Sequence, residues 1–356
     1  MSWVPRLPTW RMPSGPAGAI TDVPGVRVGH ASVVDASRGV ATGVTVVVPP
    51  DVESRPLPAA GHVINGYGKS AGLIQIGELG TLESVIAFSS VFAAPGVQSA
   101  LLRRRLAQEP DVGGAPTGRS VNLVVLECND AFVNDPREHT CGEGELAAAL
   151  DAASEGPVAE GTVGAGTGMS TFGMAGGFGT ASRMFETGEG THHLGVALVS
   201  NFGVWGDLTV GGQPVQLQAG LPTELADSDP AHSEVADAGT ADAESAGSVV
   251  IVVATDAPLD SAALRRVAVR AQNGLARTGC VTSHRSGELV LAFSATTKPV
   301  NDPDVALLNS AFRAVAEAVE EAVLSGLAHA DPVVGREGRR LPVLREVTRA
   351  RLQVNP

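Results

Sequence analysis

The chain has 356 residues, 44% hydrophobic and only 4% aromatic, so it is long enough for a large core that must be built mainly from Val, Ala, Leu and Ile. Its formal charge of −13 argues against a nucleic-acid binder, which would carry a basic stripe to neutralise phosphates. The three cysteines, Cys128, Cys141 and Cys280, lie far apart without C-x-x-C spacing, which indicates neither a zinc cluster nor a disulfide framework, and no apolar run approaches the ~18–20 residues of a membrane span.

The N-terminal stretch MSWVPRLPTWRMPSGPAGAI is broken by Pro and Gly before a signal-peptide core could form, so a cytoplasmic protein with reduced thiols is expected. Strands are expected at GVRVGHASVV and GVTVVVPP near the start, at 121–127 (VNLVVLE) and at 194–203 (LGVALVSNFG). Helices are expected at 96–108 and 143–153, the second with Thr140 as a cap. Residues 160–183 are dense in glycine and read as loops and short strands. Their GAGTGM lacks the G-x-G-x-x-G order and no G-K-[ST] follows, so tight turns and close layer packing are expected there rather than a phosphate cradle. His192 and His193 are adjacent and should face opposite sides of a strand, a poor geometry for shared metal ligation. Cys128 reads as a small buried hydrophobe.

Residues 222–247 have the composition of a solvated linker: seven acids and no Lys or Arg, which is more than half of the net charge. Beyond it come a strand at 248–255, an amphipathic helix at about 260–278 with Arg265, Arg266, Arg270 and Arg277 towards solvent, and a strand at 288–293. A long helix follows at about 303–325, its stripe of Val305, Leu308, Phe312, Val315, Val319 and Val323 turned to a sheet. The late basic run GREGRRLPVLREVTRARLQ is expected as a charged surface edge.

The junction Gly247-Ser248 passes from linker to buried-type strand in one step. Ser248 can be simply the first strand residue. Alternatively the bond is cut and Ser248 becomes an N-terminus, whose free α-amine, with a pKa near 7.7–8, supplies a general base that an amide nitrogen cannot. Gly247, without a Cβ, could adopt a strained backbone and leave its carbonyl open to attack by the Ser248 hydroxyl.

These residues resemble the DmpA/BapA-type aminopeptidases, self-processing serine hydrolases that include L-aminopeptidase/D-amidases and β-peptidyl aminopeptidases. The resemblance rests on ITDVPGVRVGH with TGVTVVVP, ECNDAFVND at 127–135, EGTVGAGTGM followed by GGFGTASR, SNFG at 200–203, GSVVIVVATDAPL at 247–259 and SGE at 286–288. It implies a four-layer αββα sandwich like that of N-terminal-nucleophile hydrolases. It also implies a single hydrolase domain, 1–356, cleaved after Gly247 into chains 1–247 and 248–356 that stay associated, commonly as a tetramer of such pairs.

The same resemblance makes Ser248 the nucleophile. Ser286 and Glu288 become the pair that positions and supports its amine, Asn201 the oxyanion donor, and Glu127 the acid that receives the substrate's free amino group. Asn129 stands where some members carry Tyr, and the chain's one Tyr, Tyr67, lies in NGYGKS; both are expected to shape the substrate pocket. The implied activity is removal of N-terminal amino acids from short peptides, amides or esters through an acyl-enzyme, with no metal or organic cofactor. Two alternatives are an acyl transfer like that of the ornithine acetyltransferases, which share the fold but use Thr, and an uncleaved, non-enzymatic member of the fold.

Overall fold

The computed structural model describes residues 7–188, 190–215, 247–296 and 304–348. The first half of the chain supplies strands β1 (Arg27–Asp35), β2 (Val40–Val48) and β3 (Leu57–Gly66), helix α1 (Leu73–Leu79), strands β4 (Thr81–Leu82) and β5 (Ile86–Ser90), helix α2 (Ala94–Gln108), strand β6 (Val124–Cys128) and helix α3 (Glu143–Asp151). Next come the short strands β7 (Ser170–Thr171) and β8 (Met174–Ala175), the long pair β9 (Phe178–Thr187) and β10 (Gly190–Asn201), and the small hairpin β11 (Thr209–Val210) and β12 (Gln213–Pro214). The last part runs β13 (Ser248–Thr255), α4 (Ser261–Arg277), β14 (Gly287–Ser294), α5 (Val305–Ala328) and the short α6 (Leu344–Val347).

Two sheets carry the molecule. One has the order β1-β2-β5-β6, the other β4-β3-β14-β13-β10-β9. β13 and β14 are parallel neighbours joined through α4, and β10 and β3 flank them antiparallel. Every residue of β2, β6, β13 and β14 is buried, as strands must be when both faces of a sheet are covered. The alternation of β13 divides its side chains between two cores. Val249, Ile251 and Val253 face α4 and α5, whereas Val250, Val252 and Ala254 pack with residues of the four-stranded sheet. With α2 and α3 on the far side of that sheet, the order of layers is αββα, as the resemblance implies.

The glycine-dense stretch holds more strand than expected, because β9 runs for ten residues from Phe178. Its glycines do serve close packing: a Cβ at Gly179 would lie 1.9 Å from the Ala322 carbonyl oxygen of α5. Helix α3 begins after Gly142, not at a Thr140 cap, and the Glu145 carboxylate accepts the Gly142 N–H at 2.8 Å. The arginines of α4 behave as expected except Arg270, which is half-buried over the Phe312 ring at 3.7 Å.

Helix α5 departs from a one-sided stripe. Val305 is 70% exposed, whereas Glu317 and Glu320 are buried. The N-terminal segment covers that side of the helix, with Trp10 Nε1 donating to Glu320 at 2.9 Å and the backbone N–H groups of Arg11 and Met12 to Glu317 at 3.2 Å each. The late basic run is only partly a surface edge: Leu341, Val343, Leu344 and Val347 are buried between paired arginines such as Arg340 with Glu346 and Arg345 with Asp331. Linker residues 222–246 lie outside the described residues, and no helix among the described residues is long and apolar enough to cross a membrane.

Candidate active site

Ser248 is the first residue of β13 and is buried. The register places it opposite Asn201, the last residue of β10, and beside Gly287 of β14. Directly opposed residues of an antiparallel pair project to one face, so the Ser248 and Asn201 side chains share the face turned to the four-stranded sheet. There the end of β6 meets them, and the backbone N–H of Asn129 donates to Ser248 Oγ at 3.2 Å. The Asn201 side-chain carbonyl accepts the Ser170 N–H at 2.9 Å. That bond fixes the amide's orientation and leaves its NH₂ as the available donor.

Ser286 and Glu288 fall on the opposite face, since Glu288 is in register with Val249. Both are buried. A Cβ built on Gly247 would stand 2.8 Å from Ser286 Oγ, so any other residue there would displace that hydroxyl. Gly247 is not among the residues with positive φ, so the expected backbone strain is absent. Its carbonyl accepts the Gly287 N–H at 3.0 Å. Gly287 is held to glycine for a similar reason, because a Cβ there would meet the Tyr67 carbonyl oxygen at 2.7 Å.

The chemistry of this second face is unusual. Ser286 Oγ and both carboxylate oxygens of Glu288 are shielded from solvent and lack hydrogen-bond partners among the described residues, a state that costs free energy in a buried group. Burial raises the Glu288 pKa, and the neighbouring Ser286 hydroxyl opposes that rise without being aligned for a bond. With Gly247, Phe202, Cys280 and Thr282 the two residues line one small pocket. An ammonium group in it would satisfy hydroxyl and carboxylate together.

Glu127, near the end of β6, is also buried. One of its oxygens accepts the Lys69 N–H at 2.6 Å, and its own N–H donates to Ser70 Oγ at 3.1 Å. Burial raises its pKa, partly offset by Lys69. Asn129 is exposed and its side chain closes a local turn onto the Ala131 N–H. Asn129 is expected to shape the substrate pocket, and its contact with Ser248 is made by its backbone.

Asn65 escaped sequence reasoning altogether. Its amide donates to the carbonyls of Ser283, His284 and Ser286 and so clamps the turn that delivers Ser286. Lys69 also escaped it; its ammonium lies 4.5 Å over the Tyr67 ring beside Glu127. Asn65 is one half-buried residue of β3 and Lys69 one exposed loop residue, and a single polar side chain gives no periodic signal.

Cys128 is no nucleophile candidate, because complete burial drives its thiol pKa far up and its Sγ donates to the Val199 carbonyl. His192 and His193 do not diverge. Both rings approach Asp256, His193 Nδ1 at 2.9 Å and His192 Nδ1 at 3.7 Å.

A serine hydroxyl on a rigid buried strand, flanked by amide donors and backed by an unpaired carboxylate within a four-layer sandwich, defines a hydrolase of the serine-nucleophile type. A family model, Peptidase family S58, matches residues 18–341, and the chain belongs to that family. It is an aminopeptidase. The chain is similar to the beta-peptidyl aminopeptidase BapA of Sphingosinicella xenopeptidilytica, with 34% identity over 92% of this chain and 84% of that one. Among solved structures, a beta-aminopeptidase of Burkholderia sp. matches with a TM-score of 0.78 and 33% identity over 94% of this chain and 92% of that one. The L-aminopeptidase D-Ala-esterase/amidase of Ochrobactrum anthropi, described as a prototype of the serine aminopeptidases and a variant of the Ntn hydrolase fold, matches with a TM-score of 0.77 and 29% identity over the same shares, 94% and 92%.

Proposed function

We propose that this single domain cuts itself between Gly247 and Ser248 and then removes N-terminal amino acids from short peptides, amides or esters with Ser248 as nucleophile. The observation that carries the reading is the pair Ser286 and Glu288, buried without partners against Gly247. A freed Ser248 ammonium would supply the missing partner, and the cost of holding the two groups unpaired would be met by the processed state.

In processing, Ser248 Oγ adds to the Gly247 carbonyl. The C–N bond breaks, leaving an ester on Oγ and a free α-amine, and water hydrolyses the ester. In turnover the neutral amine takes the hydroxyl proton as Oγ attacks the substrate carbonyl. The Asn201 NH₂ and the backbone N–H of Asn129 hold the oxyanion in this reading. The proton passes to the leaving amine, and water then releases the amino acid from the acyl-enzyme. The free oxygen of Glu127 receives the substrate's ammonium, which restricts the enzyme to free N-termini. Lys69, Tyr67 and Asn129 would shape the substrate's surroundings beside Glu127.

The two chains, 1–247 and 248–356, stay together through the β10–β13 and β14–β3 ladders, and the working form is a cytoplasmic homo-oligomer, a tetramer of cleaved pairs. Intact mass spectrometry of the purified protein tests the reading. It should show two chains whose junction is Gly247/Ser248, and a stable single species of 36.1 kDa would overturn it.

A further inference from the structure

The segment from His139 to Glu145 links the loop that follows β6 to helix α3, and it draws three side chains of different chemistry to one point. One ligand atom each of His139, Cys141 and Glu145 lies within 4.8 Å of the others, the one such group of His, Cys and carboxylate side chains among the described residues. We propose that these three residues form a binding site for a borderline-soft divalent cation of the Zn²⁺ class.

The details suit a three-ligand site. Glu145 uses one oxygen, Oε2, to cap the Gly142 N–H at 2.8 Å, which fixes the carboxylate and leaves Oε1 directed at His139 Nε2, 3.2 Å away. Metal ligands are commonly oriented by an outer hydrogen bond of this kind. His139 Nε2 is shielded from solvent yet makes no aligned hydrogen bond, so the closeness to Glu145 is not a satisfied pair. Cys141 is 2% exposed, whereas the side chains of His139 and Glu145 are 27% and 22% exposed. The cluster is therefore walled on the sulfur side and open on the other, leaving a path of entry and a fourth position for water.

Nitrogen, sulfur and one carboxylate oxygen select against Mg²⁺ and Ca²⁺, which take oxygen ligands, and match the tetrahedral habit of Zn²⁺. The absence of a C-x-x-C pair hides this site from a search by cysteine spacing, since it needs one thiol only.

The place of the cluster gives it a structural consequence. Thr42, adjoining Cys141 in the fold, donates to Asp130 at 2.6 Å, and Ser90 donates to the other Asp130 oxygen at 2.6 Å. Asp130 follows Asn129, whose N–H meets Ser248 Oγ. A cation at His139, Cys141 and Glu145 would tie the far end of this loop to α3 and hold its start against the serine. The proposal does not depend on the processing reaction or on the identity of the substrate.

Titration of the metal-stripped protein with Co²⁺ reads the site directly. One equivalent should bind with a sulfur-to-cobalt charge-transfer band in the near ultraviolet and tetrahedral bands in the visible, both abolished by added Zn²⁺. Cys141→Ser should lose the charge-transfer band. His139→Gln should weaken Co²⁺ by at least the ~10–100-fold that loss of an outer partner alone produces. Should Cys141→Ser fail to fold, His139→Gln and Glu145→Gln, which keeps an oxygen for the Gly142 cap, carry the same comparison. Absence of a one-equivalent band, its persistence in Cys141→Ser, or affinities unchanged in both the His139 and Glu145 variants would overturn the site.

Discussion

The layer between the six-stranded sheet and helices α4 and α5 contains two sets of buried carboxylates that are built on opposite principles. Glu317 accepts from Arg183 Nε at 3.2 Å and from two backbone N–H groups, and Glu320 from Trp10 Nε1 at 2.9 Å and Arg277 at 3.3 Å. Glu288, fully buried on the same side of the sheet, has no partner for either oxygen among the described residues. A buried charge that is paired and hydrogen-bonded belongs to the architecture. One without a partner is a candidate for a functional role, and the pocket it lines also holds Gly247.

The comparison breaks most sharply at Ser248. Ser248→Ala should abolish processing and reduce hydrolysis by roughly 10⁴–10⁶-fold, the range for removing a nucleophile that works as part of a unit. The variant should remain one folded chain on a denaturing gel, with Glu288 permanently without its partner. If it is still cut after Gly247, the amine that Glu288 is held to await is made by other means, and the mechanism is wrong.

Glu127 stands between the two sets, with one oxygen occupied by the Lys69 N–H and the other open. Its open oxygen should be matched by the substrate ammonium. Acetylated substrates should therefore turn over at least 100-fold more slowly than free ones, on the order of the 1.5–3 kcal/mol of a charge-assisted bond plus the unpaired group left behind. Glu127→Gln should narrow that ratio, and equal rates on both substrates in the wild type would make the enzyme a general amidase.

Stability should separate the sets in the opposite sense from activity. Glu317→Gln leaves Arg183 with Glu321 alone among the acids, so unfolding by urea should lose about 3 kcal/mol, the low end for breaking a buried pair. Activity per folded molecule should hold. Glu288→Gln removes a charge that has no partner before cleavage, so the uncleaved protein should lose nothing and the processed enzyme should lose rate. Equal destabilisation by both substitutions would mean that Glu288 is a structural acid like Glu317.

The contrast also shows where the sequence was legible. The ordered motifs and the abrupt entry into β13 marked Ser248, Ser286, Glu288, Asn201 and Glu127, and the structure brings them to the adjoining ends of β6, β10, β13 and β14. What stayed hidden was set by tertiary context. β3 carries Pro58 and Gly61 and owes its ten residues to pairing with β14, and β5 is only five residues long. Gly179, the second residue of β9, helps mask the strand, and close passage of α5 demands it. Nothing local distinguishes Asn65, whose clamp on the 283–286 turn exists only after folding. Nor does sequence reveal that Ser286 and Glu288 lie across the sheet from the Ser248 hydroxyl, which follows from the register alone.

The smallest effect is the most specific. Burial raises the Glu288 pKa above its usual value, so folding of the uncleaved chain disfavours its charged form. A carboxyl whose folded pKa is raised contributes stability that is fully present below the unfolded pKa, near 4.5, and lost as pH climbs through the folded value. Uncleaved Ser248→Ala should therefore lose stability relative to Ser248→Ala/Glu288→Gln as pH rises from 4 through that interval, by about 1.4 kcal/mol for each tenfold gain in proton affinity. Glu127, also raised by burial, and Glu160, pushed up to about 7, are common to the two proteins and cancel in the difference. In the processed wild type the Ser248 ammonium should pull the Glu288 pKa back down, so the same Glu288→Gln comparison made there should show less loss of stability with rising pH, or a gain. A pH-dependent difference that is identical before and after cleavage would mean that the amine never reaches Glu288, and the pocket beside Gly247 would then have to be read as packing alone.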